Sequence, residues 1–426
     1  MRHRAWLLVL LLLVGLASSC QPDPGSDPGE AAGPSGVTYP EWTDRLQLSI
    51  EPELDTVSAD RDGKVLLVPG ANALSLVSNA SGKLSELVLN FGDTPLLTSA
   101  LSADGSWLAA VSANALQIYS VTDGSLRSSV SWLQAVNSAR VQISQDGQSV
   151  ACLRNGYLHL YHGPDLNLRW SSELPVSQQE QKLQMSANGL TLAVCGDEAI
   201  VYAPDAASPL WRRPLIGECQ TAMLSGDGVY LAVDMAKSAG EQRLLLYTRW
   251  QASPAWEFPH KGSATCLRFS PDGDWLALSA DHFYLFDCRN AQPVMQLEQL
   301  GSAALAEQQV LLISEQTLYR FQTRNQQVVS FRLPELLVGE LSYVYTQTEW
   351  LFALDGTGQV QLIRLPLAAA TANLVSMTDA SDFLQKRRHY RFFNQSNQLG
   401  LKPPGKLKAR QRLASGALSE TWLDRQ

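Results

Sequence analysis

The chain has 426 residues, is 45% hydrophobic and only 17% charged, and carries a formal net charge of −8. That is enough apolar material for a large core, and the acidic balance argues against nucleic acid as a partner. Charge is unevenly placed: residues 376–426 hold ten Lys/Arg against four Asp/Glu. With that tail and Arg2 and Arg4 set aside, the body carries −16.

Residues 1–19 read as an export signal. Arg2 and Arg4 precede an apolar run, Ala5 to Leu16, too short for a comfortable membrane span. Leu16-Ala17-Ser18-Ser19-Cys20 follows. This resembles a bacterial lipobox, except that Ala17 stands where Leu is usual. The resemblance implies acylation of Cys20, and Gln21 in the next position implies delivery to the outer membrane. An ordinary secretory signal is the alternative. Residues 20–40 are Pro, Gly, Ser, Asp and Ala with almost no bulky apolar side chains, the composition of a disordered tether.

From there a four-residue turn recurs. Ser102-Ala-Asp-Gly105, Ser144-Gln-Asp-Gly147 and Ser186-Ala-Asn-Gly189 have glycines 42 residues apart; Ser225-Gly-Asp-Gly228 and Ser270-Pro-Asp-Gly273 follow after 39 and 45. An earlier copy ends at Asp62-Gly63. Each turn separates two runs of alternating hydrophobicity, such as Cys266–Ser270 and Trp275–Ser279, so each copy is an antiparallel hairpin. Gly63, Gly105, Gly147, Gly189, Gly228 and Gly273 are expected to take the left-handed conformation of a three-residue hairpin with a bulge. A third strand follows, for instance Ala115–Tyr119 or, after Asn155-Gly156, Tyr157–Tyr161, and then a weaker fourth. Four short strands per unit of about 40 residues describe a β-propeller blade.

Cys266 to Asp287 resembles a WD-repeat blade, with His260, the Phe269–Gly273 turn, Leu276-Ala277, Asp281 and Phe286-Asp287 at that family's positions. Phe286 replaces its Trp. The resemblance covers roughly Arg45 to Leu367, implies an all-β propeller and makes His260 a structural histidine. Six blades carry the turn and two are degenerate: one around Val310–Ser314 and Thr317–Phe321, the other around Trp350–Leu354, Asp355-Gly356 and Gln359–Ile363. Arg45–Ile50 has no other partner and is expected to complete the last blade and close the ring, which removes exposed strand edges. The expectation is one propeller over residues 41–375 with eight four-stranded blades, or seven if residues 300–333 are an irregular insert. Residues 376–426 form a separate basic tail.

Chemistry-bearing motifs are sparse. Cys152, Cys195, Cys219, Cys266 and Cys288 form no Cys-x-x-Cys pair, so a zinc site is not expected. They read as small buried residues, with their disulfide state open. His159 and His162 flank Tyr161 at a strand end and read as packing or surface. The Asp-Gly adjacency differs from the sialidase Asp-box, and Asp60-Arg-Asp62-Gly63 lacks the remaining ligands of a calcium loop. No phosphate loop, nucleophile elbow or His-Glu-x-x-His helix is present. Trp107, Trp275 and Trp350 occupy strand positions; Trp42, Trp132, Trp170, Trp211, Trp250 and Trp256 lie near strand ends, where some could form an aromatic contact surface. The tail mixes bases with aromatics over Gln385–Phe393 and adds five bases from Lys402 to Arg412, suited to an anionic surface, to docking on the acidic ring or to a solvated extension.

No catalytic residue, cofactor or metal ligand emerges. The sequence reads as a lipid-anchored periplasmic propeller of the bacterial outer membrane, acting without catalysis as a scaffold for envelope proteins. A propeller enzyme or binder of a carbohydrate or other small ligand is the alternative. The propeller lipoprotein of the outer-membrane assembly machine offers a fold-level parallel, but its docking tryptophan is not recognised in this sequence.

Overall fold

A computed structural model describes residues 41–51, 57–60, 64–80, 82–238, 241–298, 302–306, 309–314, 317–322, 327–332, 350–354, 358–364, 406–412 and 418–424. All belong to the compact unit Thr38–Gln426. Cys20, Gly63 and the Asp355-Gly356 turn lie outside the described residues, as do the signal and the Gln385–Phe393 stretch.

The described residues form strands and connections, with no helix. Seven sheets are four-stranded antiparallel meanders, each strand pairing with the next in sequence. They span Ser58–Asn90, Leu96–Ser131, Ala139–Glu173, Lys182–Pro214, Glu218–Lys261, Cys266–Leu297 and Ser302–Arg332. The seventh is a regular sheet, so the expected alternative of an irregular insert at 300–333 does not hold.

The eighth sheet joins the two ends of this series. Glu41–Gln47 pairs with Gln359–Arg364, which pairs with Trp350–Leu354. The N-terminal strand therefore completes the last sheet as expected, but it sits about four residues earlier than the expected Arg45–Ile50. Arg45 still pairs, with Gln361, whereas Ser49 and Ile50 lie beyond the strand. This sheet has three strands among the described residues. Residues 333–349, just before Trp350, lie outside them.

Apolar clusters fill the spaces between consecutive sheets. Leu108 and Ala110 of the second sheet pack on Leu67 and Leu76 of the first. Ile118 packs against Val141 and Val150 of the third, and comparable clusters continue as far as Ala303 and Val310 of the seventh. One further cluster combines Leu66, Val68 and Val77 of the first sheet with Phe352, Leu354, Val360 and Leu362 of the eighth. The second strands are thus buried on both faces, which is why strands such as Leu192–Cys195 and Trp275–Ser279 are wholly apolar or small, while fourth strands such as Leu126–Ser131 and Pro209–Pro214 are largely exposed.

The recurrent turn holds its shape by one hydrogen-bond scheme, seen in five copies. In the second sheet the Gly105 N–H donates to the Ser102 carbonyl (2.9 Å) and Ser102 N–H to the Trp107 carbonyl (2.8 Å). Since the Ser102 carbonyl is already used, the Trp107 N–H donates to Ser102 Oγ (2.9 Å), and that hydroxyl donates to Asp104 Oδ1 (2.6 Å). Asp104 Oδ1 also accepts from Ser106 N–H (2.9 Å). Ser144, Ser186, Ser225 and Ser270 repeat this with Asp146, Asn188, Asp227 and Asp272. The five glycines have φ between 67° and 72°, as the sequence requires. The connection is four residues long, 103–106, because Ser102 N–H closes it on the Trp107 carbonyl, and not the expected three-residue bulged hairpin. The serine hydroxyl makes the longer loop affordable by replacing the carbonyl. In the first sheet Asp60 takes the serine's place and accepts from Lys64 and Val65 N–H at 2.7 and 2.8 Å.

Within the basic tail, Lys406–Arg412 pairs antiparallel with Leu418–Asp424 as a separate two-stranded sheet. The sequence pattern had given no such hairpin.

Candidate functional site: one end of the sheets

A four-stranded meander reverses direction at every connection. The first and third turns of each sheet therefore lie at one end, and the second turn and the link to the next sheet at the other. The five Ser-x-Asp/Asn-Gly turns share the first end and touch. Asp104 N–H donates to the Gln145 carbonyl (3.1 Å), Gln145 N–H to Ala187 (2.7 Å) and Asn188 N–H to Gly226 (3.3 Å). A Cβ added to Gly273 would meet Asp227 Oδ1 at 2.8 Å. These residues are committed to joining sheets. Their carboxylates show no grouping with His, Cys or other acids that could hold a metal ion among the described residues.

The tryptophans near strand ends are likewise mostly committed. Trp170, Trp211 and Trp256 occupy the fourth strands of successive sheets, and each reaches the following sheet. Their Nε1–H groups donate to the carbonyls of Pro204 (2.9 Å), Arg249 (3.0 Å) and Cys288 (2.8 Å). Their rings lie over Tyr202, Tyr247 and Phe286 at 5.7, 5.5 and 5.4 Å. In the second sheet Ser128 makes the corresponding bond to the Pro164 carbonyl. So docked tryptophans are present, contrary to the sequence reading. Their spacings of 41 and 45 residues were the available signal. Trp250 is exposed; the Trp42 and Trp350 side chains lie outside the described residues.

His260 sits in a buried pair with Asp234. At the end of the fifth sheet's last strand, its Nε2 lies 2.8 Å from Asp234 Oδ1 on the second strand, both side chains fully buried. Asp281 accepts from the Tyr284 hydroxyl (3.0 Å) and lies 3.3 Å from His282 Nδ1. Asp287 pairs with Arg289 Nε at 2.7 Å. Cys195 and Cys219, on neighbouring sheets, hydrogen-bond to each other; this bond and burial hold the Cys195 thiol well up. Burial pushes Cys152 up to about 12. Cys152 and Cys195 are packed thiols held protonated, and the five described cysteines are free.

The opposite end is different. The connections leaving the second, third and fourth sheets begin alike: Trp132, Leu174 and Leu215 N–H donate to the carbonyls of Asn114 (3.0 Å), Gly156 (2.8 Å) and Asp197 (2.8 Å). Beyond these anchors each connection points an apolar side chain outward. Leu133 is 106% exposed, Val176 92% and Ile216 81%. Single exposed apolar residues are commonplace; three at matching places in consecutive connections form a row.

Beside the second member of that row lies a cavity of about 600 Å³, whose lining includes Arg140, Arg154, Tyr157, Glu173, Val176 and Glu180. Its floor is the Asn155-Gly156 turn, a two-residue hairpin with φ of 49° and 75°. Arg140 and Lys182 both pair with Glu180, the second at 2.5 Å. The Arg154 guanidinium lies 4.6 Å over the Trp132 ring, a cation–π contact. Beneath it Tyr157, His159 and Tyr161 line one face of the third strand, with ring centroids 6.2 and 6.1 Å apart. Burial, and then the Arg154 charge, push His159 down to about 4, which favours the neutral ring. The cavity combines an apolar wall at Leu174, Pro175 and Val176 with a backbone turn and the Arg140–Glu180 pair. The sequence could not show it, because these connections differ in length and share no motif.

No protein-family model matches this chain, and no curated protein matches it. Solved structures do. BamB from Moraxella catarrhalis aligns with a TM-score of 0.54 at 12% identity, over 77% of this chain and 100% of that one. Saccharomyces cerevisiae Sqt1 aligns at 0.53 and 12%, over 77% and 100%. A chain of the Mitotic Checkpoint Complex aligns at 0.50 and 14%, over 83% and 99%. At such identities the likeness concerns the fold, and with the serial four-stranded sheets it gives this chain a β-propeller fold.

Proposed function

We propose that this protein is a non-enzymatic scaffold whose partner docks on the end bearing Leu133, Val176 and Ile216. The observation that carries this reading is the apolar row, set on connections that the sheets hold rigidly. Burying one such side chain contributes about 1.5–3 kcal/mol, so three at a rigid rim suit a specific protein contact. A photo-reactive amino acid at position 133, 176 or 216 tests it: the same protein should be trapped from each, and failure to trap one refutes it.

The proposal extends to closure and address. Eight sheets form one ring over residues 41–375, sealed by the pairing of Glu41–Gln47 and by the cluster shared between the first and eighth sheets. Cys20 carries the lipid, residues 20–40 span from membrane to ring, and the chain faces the periplasm on the outer membrane, where its partners are envelope proteins. Several acyl chains at ~0.8 kcal/mol per buried CH₂ give stable anchoring. Residues 376–426 add contact with an anionic surface.

A further inference from the structure

We propose that the cavity beside Val176 receives an extended, acidic–apolar segment of a partner protein, with one carboxylate seated on Arg154. This rests on the docking reading above and names the partner's chemistry.

Arg154 ends the second strand of the third sheet, Ser149–Arg154, and lines the cavity. Its Nε is buried without a hydrogen-bond partner among the described residues. Its stack on Trp132 holds the guanidinium in place. Trp132 is itself fixed, its Nε1–H donating to the Ala113 carbonyl at 2.7 Å. No carboxylate lies within ion-pair distance of Arg154 among the described residues. The other cations of this wall, Arg140 and Lys182, are matched by Glu180, and Glu173 stands exposed at the rim. One guanidinium therefore keeps an unmatched charge in a half-buried place, which is costly until an anion arrives. A planar, pre-organised arginine favours a carboxylate held by two parallel bonds.

The surroundings select a peptide over a free small acid. Val176, almost fully exposed, stands at the cavity wall beside Leu174 and Pro175. The volume suits three or four residues. Alternate side chains of an extended segment would rest on the apolar rim and place an acid between them.

The test uses the full chain, immobilised, and random dodecapeptides displayed on phage. Selected peptides should carry Asp or Glu flanked by apolar residues at alternate positions. Converting that acid to its amide should weaken binding to the wild type roughly tenfold or more. Arg154→Gln should bind acid and amide forms equally, with Arg154→Lys recovering part of the difference, while thermal midpoints show both variants folded. Peptides without an acid, or equal binding of acid and amide by the wild type, overturn the Arg154 assignment; if Val176→Asp still abolishes binding, the docking end stands. Binding insensitive to Leu133→Asp, Val176→Asp and Ile216→Asp overturns both, and a selection that enriches nothing overturns the acidic-segment proposal.

Discussion

Gly147 and Gly156 lie in the same sheet with nearly the same left-handed backbone, φ 72° and 75°. An alanine at either position meets the same local penalty, about 1–2 kcal/mol for an L-residue in that conformation. Their surroundings differ. A Cβ at Gly156 has nothing within 4 Å, whereas one at Gly147 would sit 2.2 Å from Trp107 Cδ1 and 2.9 Å from Cγ, on the neighbouring sheet. Trp107 packs against the cluster of Val141, Val150 and Cys152, and the encroached atoms are at the base of its ring, so a rotation of the ring tip gives no relief. Overpacking of this kind costs about 1–3 kcal/mol. Gly147→Ala should therefore destabilise by about 2–5 kcal/mol and Gly156→Ala by about 1–2 kcal/mol. Urea unfolding followed by tryptophan fluorescence reads the difference as a lower midpoint for Gly147→Ala. Equal midpoints would refute the claim that the turns form a contact between sheets as well as a reversal within each.

Two further outcomes follow from the same structure. The folded state holds His159 neutral down to about pH 4, while the unfolded chain takes up its proton near the ordinary value of about 6.5. Stability should therefore fall as pH drops through that window, by about 1–2 kcal/mol once the half-exposed ring is discounted for solvent screening. His159→Phe should remove this component, and an unchanged loss between pH 7 and pH 5 would contradict it. Cys20→Ser should release the chain from the membrane fraction; a variant that still sediments with membranes would exclude lipid anchoring.

Much of the fold was legible because its determinants are local and repeated. The glycines at 105, 147, 189, 228 and 273 announce a left-handed turn, and the alternating runs beside them announce two-faced strands. The role of serine was not legible in the same way: that Ser102 Oγ replaces its own carbonyl depends on where the Gly105 N–H has already gone. The docked Trp170, Trp211 and Trp256 were hidden because their partners are carbonyls and rings of the next sheet, 32 to 38 residues away. The family pattern marked His260 as structural without naming its partner; the extended fourth strand Gln251–Lys261 carries it to Asp234. The apolar row and its cavity left no periodic trace, since a docking end is built from connections free to vary once the sheets are fixed.

The most direct test of the central claim compares the two ends of the sheets. A photo-reactive residue is placed at Leu133, Val176 and Ile216, and separately at the exposed Asp146 and Asp227 of the recurrent turns, in living cells. The account predicts one common protein adduct from the first three positions and none from the last two. Adducts confined to the Asp146 and Asp227 positions, or none from the apolar row, would contradict it.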